Sequence, residues 1–347
     1  MSLSLAVAIG WVAAGAVRGG DLTQGVRRDT EWLAGHDSRT PGTVGHDQAS
    51  DGLLERVRAV PGVQTWVHEF PVVVPTVQRA TIDVAGGSEA GTHAVYPVWP
   101  DLVRVKTTPE EGLSGDLIYV GGASHAEMPA RSLRGNIAVM EMSAYQNWKH
   151  PFAMGCKAVL LLGGKDDVAL ESEYQRLYMP RYYVPQGPLA DALRQGGVGR
   201  GTLHCDGEWR EVTARNIYAL LRPEAVDPAL PPIAVAAAYD SMSVVMGLAP
   251  GADRAVDAAF ALNALRAFAA EPPKRPVLFC FLDADGMNQL GVRQMLAMLA
   301  VTPENTIRKR YQKVDADILA SYTELHETAT QLGQGAPAVG QLHDKGK

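Results

Sequence analysis

Acidic side chains follow two apolar runs of the sequence. Asp240 comes after the run Ile233–Ala238, and Asp283 and Asp285 come after the run Val277–Leu282. Carboxylates grouped in this way can hold a divalent cation or act as general acids and bases on a bound water. A simpler alternative is that short polar residues at strand ends cap the loops and helices that follow. The chemistry of this candidate site therefore depends on which other residues join the carboxylates.

A basic residue, Arg254, lies between the two acidic clusters in the sequence and is flanked by Asp253 and Asp257. We expect its guanidinium to form an internal ion pair with a carboxylate of these clusters. Ser241 follows Asp240, but a nucleophilic serine needs a base within hydrogen-bonding distance, and the motif supplies none. A serine hydrolase is therefore disfavoured.

The segments that position these residues are typical of an α/β protein. Apolar strands are predicted at 215–221, 233–238 and 277–282, and residues 257–270 form an amphipathic helical pattern between the last two strands. Strands with apolar residues on both faces are typical of parallel sheets, and alternation of strand, helix and strand favours an α/β sandwich. Helices are also predicted at 21–33 and 47–60, before alternating strand patterns at 65–70 and 80–84.

Composition narrows the class of protein. The 347 residues correspond to one large domain or two ordinary domains, and the net charge of -6 argues against binding to nucleic acid. Three cysteines are too few and too scattered for a disulfide framework, and Cys280 lies in an apolar run that predicts a buried thiol. Residues 1–17 carry no charge, which favours a secretory signal or a membrane segment; a buried first helix is the alternative.

Three segments resemble one family, the cocatalytic zinc exopeptidases, which includes aminopeptidases, glutamate carboxypeptidase and the transferrin receptor. The segments are Ala238–Ser241, Gly251–Ala258 and Asp283–Val292, and the turn Ser38–Thr43 is similar to the family's early Ser-Arg-x-x-Gly signature. The family's motifs, His-x-Asp-Ser, Gly-Ala-x-Asp-x-x-Ser-Gly and Asp-Ala-Glu-Glu-x-Gly-Leu-x-Gly-Ser, occur in the same order. The resemblance spans roughly residues 21–300 and implies a three-layer α/β/α peptidase-like sandwich.

The middle of the chain resembles a protease-associated (PA) domain. Three segments carry this resemblance, Leu113–Gly121, Arg134–Ile137 and Gly155–Leu160. It implies a mainly β domain inserted into the peptidase-like fold. The predicted organisation is a signal or membrane segment at 1–20, peptidase-like parts at 21–75 and 213–301, the PA-like domain at 76–212, and a helical extension with a tail at 302–347.

Most metal ligands that the resemblance implies are missing. Ala238 stands at the position of the first zinc-binding His, Arg254 at that of the bridging Asp, and Gly286 at that of a ligand Glu. Asp285 stands at the position of the catalytic Glu and keeps a shorter carboxylate, while Asp240 matches a residue that supports the ligand His. These two carboxylates are the remnants of the site. Because a methyl group and a guanidinium coordinate no cation, we expect no zinc cofactor.

Other residues are weaker candidates to replace the missing metal ligands. The flanking Asp253 and Asp257, or a histidine from elsewhere, would have to replace the missing ligands, and a shift of register would leave Ala238 and Gly286 unexplained. Nothing around the later histidines resembles the setting of the family's final ligand His, and the sequence departs from the family after Val301. The residues considered for these roles are His36, His46, His326, His343, Asp315 and Asp317.

Two functions remain. The sequence favours a catalytically degenerate peptidase-like protein that acts as a binding or assembly module for an unknown protein or peptide, exported or membrane-associated. The alternative is an active zinc-dependent exopeptidase or hydrolase with a rearranged metal site. Aromatic residues in loop-like segments are candidates for a contact surface, although such residues also anchor small cores: Trp99, Tyr145, Trp148, Tyr182 and Tyr183.

Overall fold

The computed structural model describes residues 19–98, 105–128, 132–164, 179–224, 227, 230, 232–299 and 320. The chain divides into two compact units, Met1–Val292 and Arg293–Lys347. Within the described ranges, no helix is both long and apolar enough to cross a membrane. The apolar amino terminus and the helical extension predicted from residue 302 lie outside these ranges, apart from Ala320, which is helical.

The described chain is a mixed α/β structure, as the sequence predicts. A 3-10 helix covers Met142–Asn147. The α-helices are α1 (Gly19–Ala34), α2 (Val44–Arg58), α3 (Lys149–Ala153), α4 (Pro188–Arg194), α5 (Ala252–Ala270) and α6 (Leu290–Leu299). The strands are β1 (Val63–Ala85), β2 (Gly91–Ala94), β3 (Tyr96–Pro97), β4 (Leu113–Tyr119), β5 (Ile137–Glu141), β6 (Ala158–Leu162), β7 (Arg181–Val184), β8 (Arg200–Leu221), β9 (Ile233–Ala238) and β10 (Val277–Leu282).

These strands form one connected ten-stranded sheet with two differently built ends. Its main path is β2-β1-β8-β4-β5-β6-β7-β3, and β10 pairs with both β8 and β9. Strands β4 to β7 run parallel to one another, and β9 runs parallel to β10. The long strands β1 and β8 pair antiparallel along their whole length, so they join the two ends as a ribbon.

The first strand of the ribbon differs from the sequence prediction. The two short strands predicted at 65–70 and 80–84 are parts of one strand, Val63–Ala85, which continues through Pro71 and Pro75. Proline is tolerated there because β1 has β8 as its one described neighbour at these positions, so no second ladder needs the missing N–H groups. In addition, the domain boundaries predicted after residues 75 and 212 lie inside β1 and β8, so uninterrupted strands cross them.

A layer of helices packs on the sheet at the end that contains β9 and β10. Alternate residues of these strands and of β8 point into a core shared with α1, α2 and α5, including Leu53, Leu262, Ile217, Phe279 and Phe281. Burial of these side chains holds the helices on the sheet, because each large apolar side chain removed from water contributes about 1.5–3 kcal/mol.

The parallel strands β4 to β7 have cores on both faces. Ile137 and Val139 of β5 pack into one core, while Ala138 and Met140, which alternate with them, pack into the other. Three of the aromatic residues considered for a contact surface, Tyr145, Trp148 and Tyr182, are buried in these cores, and Tyr183 packs against one of them. They are therefore core anchors, and Trp99 lies outside the described residues.

Candidate functional site

Parallel pairing brings the two acidic clusters to the same edge of the sheet. Ala238, the last residue of β9, pairs with Leu282, the last residue of β10. The segments after each strand therefore leave the sheet side by side, at the carboxyl ends where ligands of open α/β sheets bind. The connection between the strands includes α5, which starts after Gly251 in the left-handed conformation (φ 51°) and carries Arg254 in its first turn.

Arg254 forms the ion pair that the sequence predicts. Its Nη1 contacts Oδ2 of Asp285, at the position that the resemblance assigns to the catalytic carboxylate. The Arg254 side chain is 41% exposed and that of Asp285 is 12% exposed, so the pair lies at the mouth of the site. Burial lowers the pKa of Arg254, but the hydrogen bond and charge of Asp285 outweigh it and leave the pKa raised. The guanidinium therefore stays positively charged and attached to the carboxylate.

Asp240 is a buried acid of the site. Its Oδ2 accepts a hydrogen bond from the Gly286 N–H at 3.1 Å, while its Oδ1 is buried and has no hydrogen-bond partner among the described residues. Burial, followed by the negative charges of Asp283 and Asp285, raises the pKa of Asp240 to about 7. A carboxyl group with this pKa is partly protonated near neutral pH.

The backbone at Gly286 leaves little room for a larger residue. A Cβ built on Gly286 would lie 2.8 Å from Cβ of Met242 and 3.0 Å from its Sδ. A glutamate at this position would therefore require Met242 to move. Ala238 ends β9 with a methyl group, so neither of these two positions offers a metal ligand.

A second polar network lies behind the strand ends and centres on Asp283. Its carboxylate accepts hydrogen bonds from the backbone N–H groups of Arg215 and Ala284, both at 2.7 Å, and lies 2.9 Å from the Tyr239 hydroxyl. His46 Nε2 lies 2.9 Å from Oδ2 of Asp283, and both side chains are fully buried. His46 was a candidate replacement for a missing metal ligand. In the structure its Nε2 faces Asp283, so the side chain belongs to this buried network.

His46 is held between two carboxylates. Its Nδ1 lies 3.1 Å from Asp47, whose side chain is 68% exposed, and its Nε2 faces the buried Asp283. Burial lowers the pKa of His46, but hydrogen bonds and charges of both aspartates outweigh it, so the pKa is raised. The helix α2 places His46 here because Thr43 caps its first turn and accepts a hydrogen bond from the His46 N–H at 3.2 Å.

The turn Ser38–Thr43 fastens the loop after β9 to the rest of the fold. Arg39 is fully buried, and its guanidinium donates hydrogen bonds to the carbonyl oxygens of Tyr239 (2.8 Å), Leu33 (2.9 Å) and Gly251 (3.0 Å), and also to that of Pro250. Burial lowers the pKa of Arg39 to about 10, so it remains charged at neutral pH. These contacts hold the loop between β9 and α5.

The remaining candidates do not contribute metal ligands in the described structure. The Ser241 hydroxyl donates to the Ala249 carbonyl and accepts from the Arg39 N–H at 2.8 Å, which gives it a structural role. His36 packs against Trp32, and its Nε2 is buried without a hydrogen-bond partner. Asp253 and Asp257 are exposed on α5. Four candidates lie outside the described residues: Asp315, Asp317, His326 and His343.

The potential metal ligands at the carboxyl ends of β9 and β10 do not match the requirements of a zinc site. A zinc site needs three or four His, Cys or carboxylate ligands arranged around one point. Among the described residues, no group of three or more His, Cys, Asp or Glu side chains is placed to hold a metal ion. At the strand ends, the Asp285 carboxylate is paired with Arg254, and Ala238 and Gly286 offer no ligand atoms in their side chains. The described residues at this edge therefore do not fit a dizinc centre.

The fold is similar to that of solved zinc aminopeptidases. A zinc aminopeptidase from Bacillus subtilis matches with a TM-score of 0.57 and 18% sequence identity over 82% of this chain, which spans 65% of that protein. A peptidase M28 precursor from Shewanella amazonensis SB2B matches with a TM-score of 0.54 and 15% identity, covering 80% of this chain and 70% of the other. No family model matches the sequence, and no curated protein matches it. At these identities the similarity establishes the peptidase-like α/β fold.

Proposed function

We propose that this chain is a catalytically degenerate relative of the zinc peptidases that acts as a binding or assembly module. The observation that carries the proposal is the Arg254–Asp285 ion pair at the carboxyl ends of β9 and β10. In this arrangement the protein's own cation neutralises the carboxylate that would act as general base. No hydrolytic step follows from such a site.

Electrostatics supports the proposal. A divalent ion a few ångströms from a guanidinium is repelled by several kcal/mol, on the order of the Coulomb energy at an intermediate dielectric constant. The contact of its Nη1 with Oδ2 of Asp285 holds the Arg254 guanidinium beside this carboxylate. Zinc would have to displace this side chain before it reached the carboxylates.

One observation favours the alternative, an active zinc-dependent exopeptidase with a rearranged metal site. Oδ1 of Asp240 is buried without a partner, and such groups are uncommon in stable proteins because each unsatisfied atom costs about 1–3 kcal/mol. A cation would satisfy it. This alternative requires Arg254 to move aside and further ligands to come from outside the described residues.

The wider organisation forms part of the same proposal. Residues 76–212 correspond to a PA-like domain, and the parallel strands β4 to β7, with cores on both faces, support this assignment. The partner is an unknown protein or peptide rather than a nucleic acid, in keeping with the net charge of -6. The uncharged residues 1–17 support export or membrane association.

Zinc content and activity of the purified full-length chain test the proposal. We expect elemental analysis to find far less than one zinc ion per chain, no shift of the melting temperature with micromolar zinc, and no hydrolysis of aminoacyl p-nitroanilides. Two tightly bound zinc ions per chain, or hydrolysis that a chelator abolishes and zinc restores, would overturn it.

A restored variant sharpens this test. The substitutions Ala238→His, Arg254→Asp, Asp285→Glu and Gly286→Glu rebuild the family's ligands at these positions, but a Cβ at residue 286 would lie 2.8 Å from Cβ of Met242, so Met242→Gly is added to remove the clash. We expect zinc to raise the melting temperature of the five-fold variant and to leave the parent unchanged. If zinc stabilises the parent by the same amount, the ion pair does not exclude metal.

A further inference from the structure

The outer edge of β9 is an unprotected strand edge. Within the described structure its one neighbour is β10, and the two strands pair in parallel over residues 233–238. Unpaired edges readily pair with other chains, so proteins usually guard them with charged residues, prolines or a covering segment. The sequence of β9 is Ile-Ala-Val-Ala-Ala-Ala, and residues 228–239 include no charged side chain. An edge of this composition is therefore a candidate surface for pairing with another strand.

The hydrogen bonds between β9 and β10 identify the backbone groups that face outward. The N–H groups of Ile233 and Tyr239 donate to carbonyl oxygens at the two ends of the neighbouring segment 276–282. In a parallel ladder, residues that bond one neighbour alternate with residues that face the other side. The N–H and C=O groups of Ala234, Ala236 and Ala238 therefore point to the open edge, and none of them bonds another part of the chain that the structure describes.

Large apolar side chains are exposed beside this edge. Ile233, the first residue of β9, is 42% exposed, and the rest of the strand is exposed or half-buried. On α5, which packs on β9, Val256 and Phe260 are 44% and 38% exposed, whereas Leu262 and Leu265 are buried. Apolar side chains exposed one turn apart, on the helix that packs on an open edge strand, favour a contact surface at this end of the sheet.

A second copy of the chain suits this edge better than a foreign peptide. Peptides that add to a sheet edge gain specificity from pockets for their alternate side chains, and the alanines that face this edge line no such pocket. Pro232 occupies the next outward position and has no N–H, so pairing stops there. The outward residues thus form a short window centred on Ala236. Antiparallel pairing about a two-fold axis, the commonest symmetry of protein dimers, places this window on itself.

We propose that two copies of the chain pair antiparallel through β9 and continue the sheet across a two-fold axis at Ala236. In this register Ala236 meets Ala236 of the partner subunit, and Ala234 meets Ala238 of the partner subunit. Each outward residue then donates one hydrogen bond and accepts one. Such a short edge buries less than the area of about 800 Å² per partner that is typical of stable complexes, so we expect a dissociation constant of about 1–100 µM.

Disulfide formation in the full-length protein tests this register. Opposed residues of a hydrogen-bonded antiparallel pair have Cα atoms about 5.5 Å apart, a distance that a disulfide spans. Ala236→Cys should therefore form a covalent dimer under mild oxidation. Ala234→Cys is the matched control on the same edge, because two such residues would lie about 14 Å apart, and it should not cross-link unless Ala238→Cys is added. The native cysteines are buried and should not compete.

Sedimentation velocity at about 1–200 µM protein measures the affinity of the proposed dimer. Ala236→Pro removes an outward N–H without removing a bond to β10, and Ala234→Lys adds a charge at an exposed edge position. Each should weaken the dimer at least about tenfold while circular dichroism reports an unchanged fold. Ala94→Lys, at an exposed position of the short strand β2, is the control and should leave the affinity unchanged.

Three results would overturn the proposal. They are a monomer over the whole concentration range, equal cross-linking of Ala234→Cys and Ala236→Cys, and a dimer that both edge variants leave intact. The proposal goes beyond the binding or assembly role and is tested separately from it. A dimer that binds zinc tightly would contradict the pseudoenzyme proposal alone, and a zinc-free monomer would contradict the pairing through β9 alone.

Discussion

Asp240 and Asp283 occupy similar places in the fold but have opposite surroundings. Each follows a parallel strand at the same edge of the sheet, and each is buried. Asp283 is surrounded by donors, namely His46, Tyr239 and two backbone N–H groups. Asp240 has one unpartnered oxygen, and its pKa is raised to about 7.

The contrast separates a carboxylate with a complete set of hydrogen bonds from one whose set is incomplete within the described structure. A buried carboxylate is stable when hydrogen bonds replace water, and the surroundings of Asp283 meet this condition. Those of Asp240 do not, and the nearby cation, Arg254, pairs with Asp285 instead. The same strand ends thus combine a completed network with a carboxylate that keeps one unsatisfied oxygen within the described structure.

The largest effect expected from this contrast comes from Asp283→Asn. The substitution removes the charge that compensates His46, and it places an amide facing groups that donate hydrogen bonds. We expect the free energy of unfolding to fall by about 3–5 kcal/mol, the usual loss when one member of a buried ion pair is removed. Urea unfolding followed by circular dichroism measures it. Asp47→Asn is the control: because Asp47 is exposed, this substitution should lower the free energy of unfolding by less than about 1 kcal/mol. Equal losses in the two variants would contradict the structural role of Asp283.

The second prediction concerns pH. Asp240 has a pKa of about 7 in the folded protein and about 4 when unfolded, so between these values the folded state holds a proton that the unfolded state has released. The contribution of Asp240 to stability is therefore fully present below pH 4 and falls by about 1.4 kcal/mol for each pH unit up to 7.

Asp240→Asn isolates this contribution, because the amide does not titrate. We expect the stability of the variant, relative to the parent, to increase by about 2 kcal/mol between pH 5 and pH 7, because the slope decreases as the pH reaches the folded-state pKa. Urea unfolding of both proteins at a series of pH values measures the difference. A difference that stays constant over this range would mean that Asp240 is ionised throughout.

Local sequence patterns predicted much of the fold and one contact of the site. Apolar runs at 233–238 and 277–282 predicted parallel strands, and the two strands do pair in parallel. Burial of the strand itself was predicted correctly for β10, whereas the residues of β9 are exposed or partly exposed. Arg254 lies in the motif between these two strands, so an ion pair with an acid that follows one of them was expected. The contact of Arg254 with Asp285 is present. These inferences needed only residues that lie close in sequence or on neighbouring strands.

Other features depend on contacts between distant residues. The length of β1 is set by its pairing with β8, so a pattern interrupted by Pro71 and Pro75 read as two strands. The contact between His46 and Asp283 joins residues 237 positions apart, and no local pattern encodes it. Thr43 is a recognisable N-cap residue, and it would have placed His46 in the first turn of α2. The contact of His46 with Asp283, in contrast, could be identified only from the tertiary structure.

The third prediction tests the crowding at Gly286. Gly286→Ala should lower the free energy of unfolding by about 1–3 kcal/mol, because the added Cβ lies 2.8 Å from Cβ of Met242 and forces a shift of the backbone or the loop. In the Met242→Ala background the methionine Sδ contact is removed, but the Cβ contact remains, so the loss should be reduced and not abolished. Thermal unfolding of the four proteins measures this coupling, and additive losses would show that the two residues do not touch.

The smallest effect is expected from Arg254→Ala. Removing an Arg that is held by two buried carboxylates would lower the free energy of unfolding by roughly 3–5 kcal/mol. Arg254 contacts Asp285 alone among the described carboxylates, and its side chain is 41% exposed, so solvent screens the pair. We therefore expect a loss of about 1 kcal/mol, measured by urea unfolding at low salt and reduced further by added salt. A loss as large as that of Asp283→Asn would show that the ion pair supports the fold as strongly as the buried network does.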